Sequence, residues 1–354
     1  MKPLSRKIRT ALCLALCTSM LCGCGQTSKK PDSADADKTE KSSSSKKKSK
    51  DSEELYEELA ASFAEKAATP EWTDPVPDGK EIKYFEVHMK TTYAQDDDDD
   101  NYSEYRCEYD DRGRMSVKVE KYGKGSIRTV FTYNDENLII KEENFYEGDV
   151  PTNSKDVYYE YKYDEKGNLL SKNLFEVDGT LRFEYKFAYD DAGNLIREEY
   201  GDIIYTYEYE YINDVLHSQT KTTGEGENLS TTKTTYDEKG NIVHIESKTP
   251  YSDSDTRIEY DEHNNRIRYS SAVEGRREYE DEITYEYDEN GNVLKKEESS
   301  LVGDYDTDGP SVTTVIYSYD AHGLLISEVT RKDGAFYTFR EYDYEPIAVP
   351  MKTD

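Results

Sequence analysis

From Tyr102 to Tyr344 the chain alternates: aromatic or β-branched residues at every second position, charged or hydroxyl residues between them. The alternation runs up to a Tyr, stops at a short polar stretch and resumes after a pair of apolar residues. Nine such Tyr residues occur, at 109, 133, 163, 189, 211, 236, 260, 287 and 319, spaced 22 to 32 residues apart. With that Tyr as position zero, position −2 holds Phe131, Tyr161, Phe187, Tyr209, Tyr285 and Tyr317, and Cys107, Thr234 and Ile258 in the other copies. Period two in residues of this kind, ending at a turn signal, predicts strands. Position one is Asp in seven copies, and position four is Gly113, Gly167, Gly193, Gly240, Gly291 or Gly323, with Asn264 in a seventh. Gly and Asn accept positive φ cheaply, so the stretch predicts a hairpin loop built on a type I turn. The copies at Tyr133 and Tyr211 read as one residue short, with tighter or distorted turns. Pairs such as Leu169-Leu170, Leu195-Ile196 and Val293-Leu294 open the return strand. Each unit is then one hairpin, and periods of this length mark repeat architectures.

The core Tyr-Asp-x-x-Gly-Asn-x-Leu, clearest at Tyr287 to Leu294, resembles the YD repeat, or RHS repeat, of bacterial cell-surface and toxin-shell proteins. The resemblance covers about Tyr102 to Tyr344. One departure is consistent: an Arg often follows the Gly in that family, whereas here Asn is usual and only Arg114 fits. The resemblance implies a spiralling β-sheet, in some relatives a hollow shell around a toxin. The expected fold is an all-β repeat: an antiparallel meander of about nine hairpins forming a coiled or curled sheet, with one short N-terminal helix.

The remaining segments divide by composition. Residues 1–23 carry Lys2, Arg6, Lys7 and Arg9 before the apolar run Ala11 to Leu21, a secretory signal. It ends Leu21-Cys22-Gly23-Cys24, which resembles the bacterial lipobox and marks Cys24 as the lipid attachment site. The expected address is therefore the outside of a bacterial cell membrane, held by a lipid anchor. Residues 24–50 are Ser, Lys and Asp without large apolar groups, the composition of a disordered tether. Residues 51–68 predict a capping helix, with Leu55, Leu59, Phe63 and Ala67 as its apolar stripe, placed over an exposed sheet edge or open end. Residues 69–101 form a lead-in loop and first strand, and 102–354 the YD-repeat β domain.

Charge narrows the function classes. The chain carries −30 overall although its signal and tether are basic, so the repeat domain is more acidic still and repels nucleic acid. Of five cysteines only Cys107 lies beyond the signal and lipobox, in a slot that holds aromatics in other copies. None of His88, His217, His244, His263 and His322 belongs to a metal or catalytic motif, and no cofactor fingerprint is present. Asp304, Asp306 and Asp308 match the first half of a calcium loop, but Val315 stands where its closing Glu belongs. These features point to a non-enzymatic, membrane-anchored protein with a scaffold or binding role toward a surface glycan or protein. The alternatives are an acidic immunity or partner protein for a secreted toxin and, with less support, a polysaccharide-active enzyme.

Overall fold

The structure is a computed structural model, and it describes residues 52–64, 66, 68–94, 102–148, 156–273, 279–301 and 310–351. Cys24, the tether, Asp304, Asp306 and Asp308 lie outside the described residues. Among those described, one α-helix, α1 (Ser52–Ala64), precedes twenty strands. The first ten are β1 (Lys80–Tyr93), β2 (Tyr102–Tyr109), β3 (Met115–Tyr122), β4 (Gly125–Tyr133), β5 (Ile139–Gly148), β6 (Val157–Tyr163), β7 (Leu169–Glu176), β8 (Leu181–Tyr189), β9 (Leu195–Tyr200) and β10 (Ile203–Ile212). They continue as β11 (Val215–Thr223), β12 (Ser230–Tyr236), β13 (Ile242–Lys248), β14 (Asp253–Tyr260), β15 (Arg266–Val273), β16 (Tyr279–Tyr287), β17 (Val293–Leu301), β18 (Ser311–Tyr319), β19 (Leu325–Lys332) and β20 (Ala335–Pro350).

Every strand pairs antiparallel with the next, and β20 pairs with β1 from Lys80↔Pro350 to Tyr93↔Thr338. The sheet is a closed barrel. This overturns the coiled or curled meander of nine hairpins expected above. Nine hairpins do carry the Tyr-Asp turns, but β20 and β1 add the pair that joins the ends and removes both edges.

Two local features favour closure. Each of the nine hairpins has a register shift at position zero, as at Glu108/Tyr109, Thr132/Tyr133 and Lys162/Tyr163. A bulge bends its strand and increases twist, and nine at one height curve the whole sheet. The seam also copies a repeat. Tyr344 pairs with Glu86 and Asp343 with His88, skipping one residue of β1, just as Tyr133 pairs with Ile139 and Thr132 with Lys141. The seam is thus a tenth repeat without its turn, one strand supplied from each end of the repeat domain.

The turns are built alike. In Asp288–Asn292 the Asp288 amide donates to Asn292 O at 2.9 Å and Gly291 N to Asp288 O at 3.1 Å. Asp288 Oδ1 accepts from the backbone of Asn290 and Asn292, and Oδ2 from Asn292 Nδ2, all at 2.8 Å. These donors, the Asn292 amide first, hold the Asp288 carboxyl below its ordinary value. At Tyr109 the Arg114 guanidinium gives Asp110 Oδ2 the same support at 2.7 Å. Asn and Arg thus do the same work after the Gly: both residues donate to the second carboxylate oxygen. The Tyr133 turn is a correction, because it is not short. Asn137 stands at position four with φ 64° and its amide donates to Asn134 O, while the Asn134 amide donates to Leu138 O. The Tyr211 turn is tighter, a two-residue loop with Asn213 and Asp214 both at positive φ.

Helix α1 covers neither an edge nor an open end. Leu55, Tyr56, Leu59 and Phe63 pack on Val329, Phe336 and Phe339, on the face of β19 and β20. Glu53 pairs with Arg331 at 2.7 Å, and Lys66, beyond the helix, with Asp343 at 2.8 Å. A closed sheet has no edge, so the apolar stripe is buried on the wall beside the seam.

Candidate binding surface

Positions 0, −2 and −4 share one face of the sheet, and the register adds residues of the return strand to it: Tyr161 faces Lys172, and Tyr159 faces Leu174. This is the inner face. Glu198 and Glu328 on it are 10% and 18% exposed, whereas Arg257 and Glu286 on the other face are 72% and 69% exposed.

The position-zero tyrosines are structural. Tyr133 donates its hydroxyl to Met115 O at 2.7 Å, Tyr163 to Ile139 O at 2.8 Å, Tyr260 to Ile242 O at 3.0 Å and Tyr319 to Val293 O at 3.0 Å. Each acceptor is position six of the preceding copy, so in these copies one Tyr bolts the repeat to its neighbour. Tyr209 and Tyr285 take over this role two residues earlier in their copies. The seam obeys the rule: Tyr344 donates to Leu325 O at 3.0 Å and Tyr109 to Glu86 O at 2.8 Å. Burial pushes the Tyr109 hydroxyl up to about 12.

A second ring of the inner face escaped the sequence reading. Nine residues after the Tyr stand Lys118, Glu142, Lys172 and Glu198 in copies one to four, and Lys296 and Glu328 in the last two. The sign alternates between neighbours, and a fixed offset with alternating charge was the available signal. The cations lie over rings: Lys172 Nζ is 4.2 Å from the Tyr159 centroid, and Lys221 Nζ, on β11, is 3.8 Å from that of Tyr205. The carboxylates accept from the next repeat, Glu142 from Tyr161 at 2.8 Å, Glu198 from Tyr207 at 2.6 Å and Glu328 from Tyr342 at 2.9 Å. Tyr105 donates to Glu86 in the same way. The inner wall therefore carries many charges that compensate one another locally.

Each strand runs close alongside its two ring neighbours, and β20 also alongside α1. The cluster of Val329, Phe336 and Phe339 lies under α1, on the face opposite the tyrosine rows. No helix among the described residues is long and apolar enough to cross a membrane.

The other candidates sort quickly. Gly113, Gly167, Gly193, Gly240, Gly291 and Gly323 all have positive φ, between 74° and 88°, and form one rim. Cys107 is buried and free, and burial pushes its thiol up, the reverse of an activated nucleophile. His88 bonds Asp343 at 2.7 Å on the wall beside the seam. His263 and His322 stack on Tyr287 and Tyr84, with ring centroids 4.4 and 4.5 Å apart. Among the described residues no three His, Cys, Asp or Glu side chains come together as a metal site.

No protein-family model matches the chain. A comparison with curated proteins gives no match. Among solved structures, the chain is similar to one in the crystal structure of TcdB2-TccC3-TEV, at 13% identity and TM-score 0.30, over 68% of this chain and 15% of that one. It is similar to a chain of the Photorhabdus luminescens Tc holotoxin pore at 12% identity and TM-score 0.26, over 67% and 16%. It is also similar to a porin-like protein from Bacteroides uniformis at 11% identity and TM-score 0.32, over 73% and 96%. The chain thus spans about a sixth of the two toxin chains. Those two likenesses are loosely consistent with the YD-repeat resemblance, and scores this low make none of the three a fold relative.

Proposed function

We propose that this protein is a lipid-anchored, extracytoplasmic YD-repeat barrel that binds a surface glycan or protein through its inner wall and catalyses no reaction. One observation carries the reading: a closed twenty-strand wall whose aromatic face leaves Phe183 and Ile203 each 44% exposed. An aromatic surface of that extent is a binding surface when nothing of the protein's own covers it. The anchor reading rests on the signal and on Cys24. The test is a glycan-array and pull-down screen with residues 52–354, repeated with substitutions on each face. A ligand lost on inner-face substitution supports the proposal. Ligands that respond only to outer-face changes, or turnover of a bound polysaccharide, refute it.

A further inference from the structure

The seam keeps the register of a repeat but not its chemistry. With Tyr344 at position zero, Glu86 stands at position six and Met89 at position nine. Position six is apolar in most copies, as at Ile139, Leu169 and Val293, whereas position nine carries the alternating charges. The seam thus has a carboxyl in the apolar slot and a thioether in the charged one. Glu86 faces the inner wall, where it accepts the Tyr105 hydroxyl and makes no ion pair among the described residues. The Glu328 carboxyl, by contrast, is held by Arg340 and by the Tyr342 hydroxyl, both at 2.9 Å. The seam also differs in its connection. Every other pair of neighbouring strands is consecutive in the chain, whereas β1 and β20 have no loop between them. There alone the wall parts without stretching a hairpin.

We infer that Glu86 is a proton-operated latch of the ring: its neutral carboxyl keeps β1 and β20 closed, and its ionisation lets the seam open. The cause is local. A carboxylate in an apolar slot loses hydration that a single phenol does not replace. Glu328 on β19 repels it, while Lys118 on β3 and Arg340 on β20 attract it. Both cations are already engaged, Lys118 with Glu120 at 2.8 Å and Arg340 with Glu328. Cys107 and Tyr109 on β2 and Tyr344 on β20 also face Glu86, whose negative charge disfavours loss of their protons. Burial first, then Glu328, pushes the Glu86 carboxyl above its ordinary value. A carboxyl raised in this way binds its proton more tightly in the folded chain than in the unfolded one. Its contribution is complete below the ordinary Glu value of about 4.3 and is lost as pH rises through the folded value. The opening is local, because the hairpins on either side keep their own turns.

The experiment is hydrogen exchange followed by mass spectrometry on the intact protein, at about pH 5 and about pH 8, with rates corrected for the intrinsic effect of pH and with β6 and β7 as the internal reference. In the wild type the amides of β1 and β20 should lose protection relative to that reference by about threefold or more at the higher pH. Glu86→Gln, which keeps an acceptor for Tyr105 and carries no charge, should hold the protected level at both. Glu86→Asp, which keeps a carboxyl, should retain the dependence on pH. Glu328→Gln removes the charge that repels Glu86 and should shrink the difference, so a folding defect in Glu86→Gln leaves the inference testable. Three results overturn the latch: no difference at the seam in the wild type, the same difference in Glu86→Gln, or an equal loss of protection in all strands. The inner-wall reading stands in each case.

Discussion

Gly113 and Gly291 occupy the same position of the same turn, at φ +74° and +83°, yet they should respond differently to Ala. A Cβ on Gly291 meets nothing within 4 Å, so Gly291→Ala brings only the strain of a left-handed residue, about 1–2 kcal/mol. A Cβ on Gly113 would stand 2.7 Å from Phe85 Cζ and 2.7 Å from Val349 Cγ1. Val349 is 4% exposed, and both neighbours belong to the seam strands, so neither has free room to move. Overpacking adds about 1–3 kcal/mol, for a total of about 2–5 kcal/mol in Gly113→Ala. Gly291→Asn should cost less than Gly291→Ala, since Asn137 and Asn264 already fill this position at φ 64° and 70°. Urea unfolding gives the three values, and hydrogen exchange locates the damage. Gly113→Ala should expose amides on β1, β2, β3 and β20 together, because it loosens the pair that closes the ring. Equal destabilisation by the two Ala variants would refute the packing argument. Loss of protection confined to the β2–β3 turn in Gly113→Ala would refute the coupling of that turn to closure.

Three further outcomes are expected. Tyr207→Phe removes the 2.6 Å bond to the buried Glu198 and should cost about 1.5–3 kcal/mol by chemical denaturation; a change within error would mean that water replaces the hydroxyl. Asp343 is held at about 2 by its hydrogen bond from His88 and then by Lys66, so its contribution is complete above the ordinary Asp value near 4 and lost as pH falls through about 2. Acid unfolding of Asp343→Asn should accordingly lack the part of the wild-type pH dependence between pH 4 and 2. Cys24→Ala should release the protein from membranes and abolish fatty-acid labelling, and retention equal to wild type, with no label on either, would refute the lipid anchor.

The turns were legible because their determinants are local. Asp at position one, Gly or Asn at four and Asn at five each bond within the same five residues, as Asp288 and Asn292 do. The inner face was legible for the same reason, since period two alone assigns Tyr159, Tyr161 and Tyr163 to one side. Closure was not legible. It depends on pairs such as Glu86↔Tyr344, whose members are far apart in the chain and carry no turn between them. The alternating Lys and Glu ring was written in the sequence at a constant offset, but its meaning needs the register, which brings Glu142 to Tyr161 of the next repeat. The place of α1 followed from closure: with no free edge to cover, Leu59 and Phe63 found the wall at Phe339.

The split tenth repeat also fixes an order of events in time. Hairpins β2–β3 to β18–β19 each need only their own short stretch of chain and can form as it becomes available. The β1–β20 pair needs both ends of the repeat domain, and the entropy of joining ends so distant is recovered only once the intervening repeats are in place. Until then β1, paired with β2 alone, and the last folded strand each keep one open edge, and a second chain could take either one. Rapid dilution at high protein concentration should thus yield dimers joined through the seam strands, whereas slow refolding at low concentration should yield the single ring.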